Sequence, residues 1–286
     1  MSVIAVCSGK GSPGATFVAV NLTAALARGR EKALLLDLDP AGGDVAAYLG
    51  LDTRRGLYPL LRMHEGIPGL DALLREAERH AGIRAVCGFP EASACPAGPG
   101  LLAEMLRRAG ESRSVLADLG RITPESAAVA SEADLVLLVV RPDLVSVLGA
   151  ERALRCLESG GVARGKIAVV VSGSERRRPA DVAEVAQAIG IEVIGSIPFH
   201  RRSARKALTS QSPISNGPLA RSFVSLASAA RRRLPESASE TTERRDTAET
   251  VQLQGALDPP LTHQPTEVHR HRGVAEPLLP GEVVLA

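Results

Sequence analysis

The stretch that decides the fold is SGKGSPGATFVAV, Ser8 to Val20. Between Gly9 and Thr16 its spacing follows the phosphate-loop pattern G-x-x-x-x-G-K-[ST], except that Ala15 stands where the pattern has lysine. The run before it, VIAVCS (Val3 to Ser8), reads as a strand, and from Thr16 onward apolar residues recur at helical spacing. Gly9 to Ala15 is then a Gly-rich turn from strand to helix, the setting in which backbone N–H groups and a helix N-terminus meet an anion. Gly11 and Gly14 would let the backbone approach phosphate oxygens, and Thr16 would offer a hydroxyl to Mg2+. Taken alone, this spacing describes a tight turn more often than a phosphate cradle, so the reading depends on what surrounds it.

Outward from the loop, short apolar runs alternate with helix-period segments. The further strand candidates are ALLLDL (Ala33 to Leu38), IRAVCG (Ile83 to Gly88), SVLADL (Ser114 to Leu119), DLVLLVV (Asp134 to Val140), KIAVVVS (Lys166 to Ser172) and EVIGSI (Glu192 to Ile197). Between them ATFVAVNLTAALARG, GPGLLAEMLRRAG, LVSVLGAERALRCLESGG and RPADVAEVAQAIG carry helical periodicity. The pattern predicts an α/β fold: a doubly wound, mostly parallel sheet of about seven strands, with helices on both faces in three layers. Two companions of the loop fall at strand ends, where such sheets bind ligands. In LLLDLDPAGGD, Asp37 and Asp39 flank the end of the second strand; SVLADLG ends in Asp118, the position of a carboxylate that reaches Mg2+ through water. Asp39-Pro40 followed by Gly42 and Gly43 also reads as a plain polar turn.

Composition sets outer bounds. Of 286 residues 45% are hydrophobic, with 4 Phe, 2 Tyr and no Trp, so the core is aliphatic and base-stacking RNA surfaces are disfavoured. Cys7, Cys87, Cys95 and Cys156 form no C-x-x-C pair and read as reduced, mostly buried thiols. With no leader-like N-terminus and no run of 18 apolar residues, a cytosolic protein without an integral membrane segment is expected, with recruitment to a pole, membrane complex or nucleoid left open. The net charge of +2 is uneven: residues 236–286 hold 4 Lys and Arg against 9 Asp and Glu. Residues 1–234 are therefore read as one basic globular domain, and 235–286, rich in Ser, Thr, Glu and Pro, as a disordered acidic tail. Within that tail, HRH (His269 to His271) lacks a third metal partner, and VAEPLLPGEVVLA is a possible docking peptide. Arg176 to Arg178, the group Arg201, Arg202, Arg205 and Lys206, and Arg231 to Arg233 are solvated charges or a surface for DNA phosphates or anionic lipid. The amphipathic segment PLARSFVSLASAARRRL is expected to pack on the sheet, and His64, His80 and His200 suggest no catalytic arrangement.

Lys10-Gly11-Ser12-Pro13-Gly14-Ala15-Thr16 resembles the deviant Walker A loop, K-G-G-x-G-K-[ST], of the MinD/ParA family of phosphate-loop ATPases, with its early signature lysine at Lys10. LLLDLDPAGGDVAAYLG, EADLVLLVVRPDLVSVLGAERAL and GIEVIGSIPFHRRSARKALTSQSPI are similar to later segments of that family, and the likeness runs from about residue 1 to 233. Within the family the chain most resembles the TadZ/CpaE-like branch, which acts in placing pilus or secretion machinery. The resemblance implies ATP and Mg2+ as ligands and an ATP-sandwich homodimer in which Lys10 reaches the partner's nucleotide. It implies that Gly9 to Thr16, with Pro198 and Phe199, surround the nucleotide, that Thr16, Asp37 and Asp118 shape the Mg2+ site, and that Asp39 orients water. Three departures stand out: Ala15 for the in-cis lysine, Ser12-Pro13 for a glycine and a variable residue, and VVVSGSERRR without the asparagine that reads adenine. Weak or very slow hydrolysis with retained binding is expected. The alternatives are an active partition-type ATPase that binds DNA and a nucleotide-free scaffold.

Overall fold

The computed structural model describes residues 2–11, 13–29, 32–90, 95–174 and 180–235. The chain divides into two units, Met1–Ser237 and Ala238–Ala286; the second, with HRH and the docking-peptide candidate, lies outside the described residues. The first unit runs β1 (Val3–Ser8), α1 (Ala15–Arg28), β2 (Leu34–Asp37), α2 (Val45–Leu49), α3 (Leu57–Met63), α4 (Leu70–Glu76), β3 (Glu78–His80) and β4 (Ile83–Val86). It continues with α5 (Pro99–Ser112), β5 (Val115–Arg121), α6 (Pro124–Ala130), β6 (Leu135–Val140), α7 (Leu144–Ser159), β7 (Ile167–Ser174), α8 (Ala180–Ile189), β8 (Val193–Pro198), α9 (Arg201–Thr209) and α10 (Gly217–Arg233).

The strands form one sheet in the order β3-β4-β2-β5-β1-β6-β7-β8. Seven run parallel, and β3 alone is antiparallel, to β4. Every expected strand forms, within a residue or two at its ends, and the count rises to eight because of β3. That strand escapes the sequence pattern because Glu-Arg-His has no apolar alternation to show, being a half-exposed edge. Its turn is Ala81-Gly82, both with positive φ (46° and 85°), the geometry of a two-residue type I′ hairpin built without the Asn-Gly signal that usually betrays it.

Burial on both faces explains the continuous apolar runs. Along β1, Val3, Ala5 and Cys7 face one core with α5, α6 and α7, while Ile4 and Val6 face the other with α1 and α10. α10 packs as expected: Leu219, Phe223, Leu226 and Ala230 are buried, and Phe223 meets Phe17 of α1 edge-on at 5.5 Å. Removing such a buried ring costs about 3–5 kcal/mol. The thiols divide evenly, contrary to the expectation that most are buried: Cys7 and Cys87 are buried, Cys95 and Cys156 only half so. Cys156 sits near the exposed end of α7, where only its inward turn meets the core.

Candidate functional site

The loop after β1 packs backbone on backbone. A side chain at Gly9 would collide with the Gly149 carbonyl of α7, so glycine alone permits the approach. The Ser8 hydroxyl lies 2.9 Å from the Lys10 carbonyl and 3.2 Å from that of Gly120, fixing the start of the turn. Around Gly11 there is open space, whereas Pro13 is buried; Ser12 lies outside the described residues. Gly14, at φ 97°, hands the chain to α1, which begins at Ala15, one residue earlier than expected. Ala15 is buried in the apolar cluster beneath α1, and Thr16 follows at half exposure.

Lys10 does not stand free. Its Nζ lies 3.5 Å from Asp143 Oδ1. Asp143 also caps α7, accepting the Ser146 N–H at 2.8 Å, and its other oxygen lies 3.6 Å from Arg141 Nε. The groups are partly exposed, so the Lys10–Asp143 pair contributes no more than about 1 kcal/mol and is readily exchanged for another anion. The sequence analysis does not single out Asp143, because its meeting with Lys10, far off in sequence, leaves no local signal.

Asp37 and Asp118 are neighbours across β2 and β5, and both are fully buried. Asp37 accepts the Val45 N–H at 3.1 Å and, weakly, the Asp39 N–H at 3.4 Å. Asp118 Oδ1 accepts the Gly120 N–H at 3.1 Å, while Oδ2 has no hydrogen-bond partner among the described residues. Burial raises the Asp118 carboxyl to about 6, opposed by the Thr16 hydroxyl and the Gly120 N–H. Burial and then the charge of Asp118 raise Asp37 as well. Two buried carboxylates side by side, one with an oxygen that no described residue hydrogen-bonds, are poorly neutralised by the protein alone. Asp39 sits just beyond, half-buried, its carboxyl raised chiefly by burial and one oxygen accepting the Ala41 N–H at 2.9 Å. Among the described residues no group of three His, Cys, Asp or Glu side chains is placed to hold a metal. The donor set nevertheless fits Mg2+, which is usually held by one or two carboxylates and completed by water and phosphate.

Beside the loop, a recess of about 160 Å³ is lined by Pro13, Gly14, Phe17, Ser172, Pro198 and Phe199. The two residues expected from the closing segment therefore reach the phosphate loop, with Phe199 largely exposed. The basic clusters fare differently. Arg201, Arg202 and Arg205 line an exposed face of α9, whose N-terminus is capped by His200 Nδ1 accepting the Ser203 N–H at 3.3 Å. In the 231–233 group only Arg232 is exposed: Arg231 reaches the Leu26 carbonyl, and Arg233 pairs with Glu192 and donates to the Gly165 carbonyl at 3.0 Å. These contacts tie the end of α10 to its neighbours. Arg176 to Arg178 lie outside the described residues.

Comparison with known proteins follows the same lines. The chain is 33% identical over 210 residues to an uncharacterised protein of Mycobacterium tuberculosis, covering 72% of this chain and 57% of that one. It thus spans little more than half the length of that relative. It is 32% identical over 156 residues to the chromosome-partitioning ATPase Soj of Thermus thermophilus, covering 54% of this chain and 61% of Soj. Among solved structures, the cell division ATPase MinD of Pyrococcus furiosus superposes with a TM-score of 0.67 at 19% identity, covering 81% of this chain and 98% of that one. MinD of Pyrococcus horikoshii, complexed with Mg-ADP, does so at 0.63 and 19%, covering 79% and 94%. The sequence profile of the CobQ/CobB/MinD/ParA nucleotide binding domain matches residues 4–214, and the chain belongs to that family.

Proposed function

We propose that this protein binds ATP with Mg2+ at the β1–α1 loop and uses it as a dimerisation ligand, acting as a localisation or assembly factor with little hydrolysis. The observation that carries the reading is the buried pair Asp37 and Asp118 beside Thr16, with Asp118 Oδ2 unpartnered. Thr16, Asp37 and Asp118 would hold Mg2+, partly through water; when bound, the ion supplies positive charge to phosphate oxygens. Gly9, Lys10, Gly11, Ser12, Pro13, Gly14 and Ala15 would wrap the phosphates, and the recess at Pro198 and Phe199 would take the base. Ala15 withholds the lysine that neutralises charge on the transferring phosphoryl group, so turnover suffers more than binding. Lys10 would leave Asp143 for the nucleotide of a second copy. The exposed Leu144, Val145 and Leu148 at the start of α7, the helix against which the loop packs, supply an apolar face for that copy. The TadZ/CpaE-like assignment, and with it a protein partner in a pilus, secretion or positioning machine, rests on the degenerate loop.

Equilibrium binding of ATP with Mg2+, with mass measured by light scattering, tests this. Nucleotide-dependent dimers that disappear in Lys10→Ala are expected, and absence of binding would leave only the scaffold. A second reading, an active partition-type ATPase, is favoured by the exposed arginines of α9. Appreciable hydrolysis that vanishes in Asp39→Ala, together with salt-sensitive DNA binding lost on replacing Arg201, Arg202 and Arg205, would favour it.

A further inference from the structure

Away from the nucleotide loop, at the N-terminal edge of the sheet, lies a larger recess of about 610 Å³. Four cations line it: Lys32 just before β2, Arg79 on β3, Arg84 on β4 and Arg113 at the end of α5. The sheet order puts β3, β4, β2 and β5 side by side, which gathers these side chains from four separate segments. Among the described residues, no carboxylate lines the recess, and none of the four side chains forms a hydrogen bond or ion pair.

The arrangement works against the fold. Arg79 and Arg84 are directly opposite in the antiparallel pair, and like charges so placed destabilise a sheet. Arg113 is half-buried, and its guanidinium is held below its usual range by burial and by the charges of Arg84 and Arg79. Some exposed arginines elsewhere do find carboxylate partners: Arg54 pairs with Asp52, and Arg107 and Arg108 with Glu104. A repulsive cluster that no described residue neutralises, gathered in a recess, is relieved by a compact polyanion.

We propose that the recess between Lys32, Arg79, Arg84 and Arg113 is a second ligand site, for a small molecule bearing a di- or triphosphate. Its volume falls within the roughly 300–1,000 Å³ of small-molecule sites. Arginine offers planar pairs of N–H donors that match phosphate oxygens. A small ligand suits the site better than nucleic acid, because the cations converge on a concavity, whereas a duplex takes cations spread along successive phosphates. His80, also in the lining, lies 3.5 Å from Ser212 and adds a polar wall toward the α9–α10 turn.

The test uses the full chain, inorganic tripolyphosphate as the probe, and chelator to remove Mg2+. Hydrogen exchange should show protection across residues 78–85, and in Arg84→Gln and Arg113→Gln titration calorimetry should show affinity about tenfold weaker per arginine. Protection of residues 9–16 by the same probe should persist in both variants, which separates this site from the nucleotide loop. Thermal melting keeps the result interpretable, since relief of repulsion predicts that Arg84→Gln is at least as stable as the native chain. Protection confined to residues 9–16, or unchanged hairpin protection in the two variants, overturns the proposal. So does protection of the hairpin by duplex DNA but not by tripolyphosphate, which would make the face a nucleic-acid surface.

Discussion

β2 and β5 carry opposite charges at their two ends. Lys32 and Arg113 lead into them at one end, and Asp37 and Asp118 close the stretch over which the two strands pair, toward the other. Five residues of extended chain separate Arg113 from Asp118, about 16 Å. The acidic edge is assembled by the main chain: a glycine loop against Gly149, N–H groups directed at Asp37 and Asp118, and a helix starting at Ala15. The basic edge is assembled by long side chains, with no comparable backbone frame. One edge is shaped before any ligand arrives; the other is shaped by repulsion that a ligand can relieve.

Four substitutions would break or sharpen this contrast. The largest effect is expected at Ala15→Lys: restoring the missing cation should raise ATP hydrolysis by about 30- to 1000-fold, measured as phosphate release, without altering tripolyphosphate protection at residues 78–85. Next is Asp118→Asn. Because burial raises this carboxyl to about 6, the unfolded chain loses the proton first. Folded stability therefore falls as pH climbs from about 4 to about 6, and the penalty stands in full above that. In metal-free buffer at pH 7.5 the variant should melt higher, by at most about 3 kcal/mol of stability, with the gain fading by pH 4.5. A variant that melts lower at pH 7.5 would show that the carboxylate is better neutralised than its surroundings suggest. Third, Lys10→Ala should weaken ATP-dependent dimerisation about tenfold in sedimentation while leaving the melting temperature nearly unchanged, since the Asp143 pair is exposed. Smallest is Arg79→Gln, which should stabilise the hairpin edge by about 0.2–1 kcal/mol in urea unfolding. A loss instead would mean that the cluster has a neutralising partner in the free protein.

The two edges also differ in how far they could be read in advance. The acidic edge was largely legible, because its components are local: a strand, a turn with glycines at fixed offsets, a helix start, and two apolar runs that end in aspartate. The contacts of Arg231 and Arg233 were not legible, since three consecutive arginines give no hint of a glutamate at position 192 or carbonyls at 26 and 165. The Lys10–Asp143 pair and the arginine recess left no local trace.

By itself, the sequence determined seven of the eight strands, the main helices and the placement of the phosphate loop, because these follow from periodicity and from backbone preferences within a few residues. Only the tertiary structure decided the strand order, the antiparallel β3 edge, the burial of Asp37 beside Asp118 and the convergence of Lys32, Arg79, Arg84 and Arg113. Those depend on which distant segments become neighbours in the sheet. Charges spread over eighty residues become one cluster only when β4 pairs with β2, and β2 with β5.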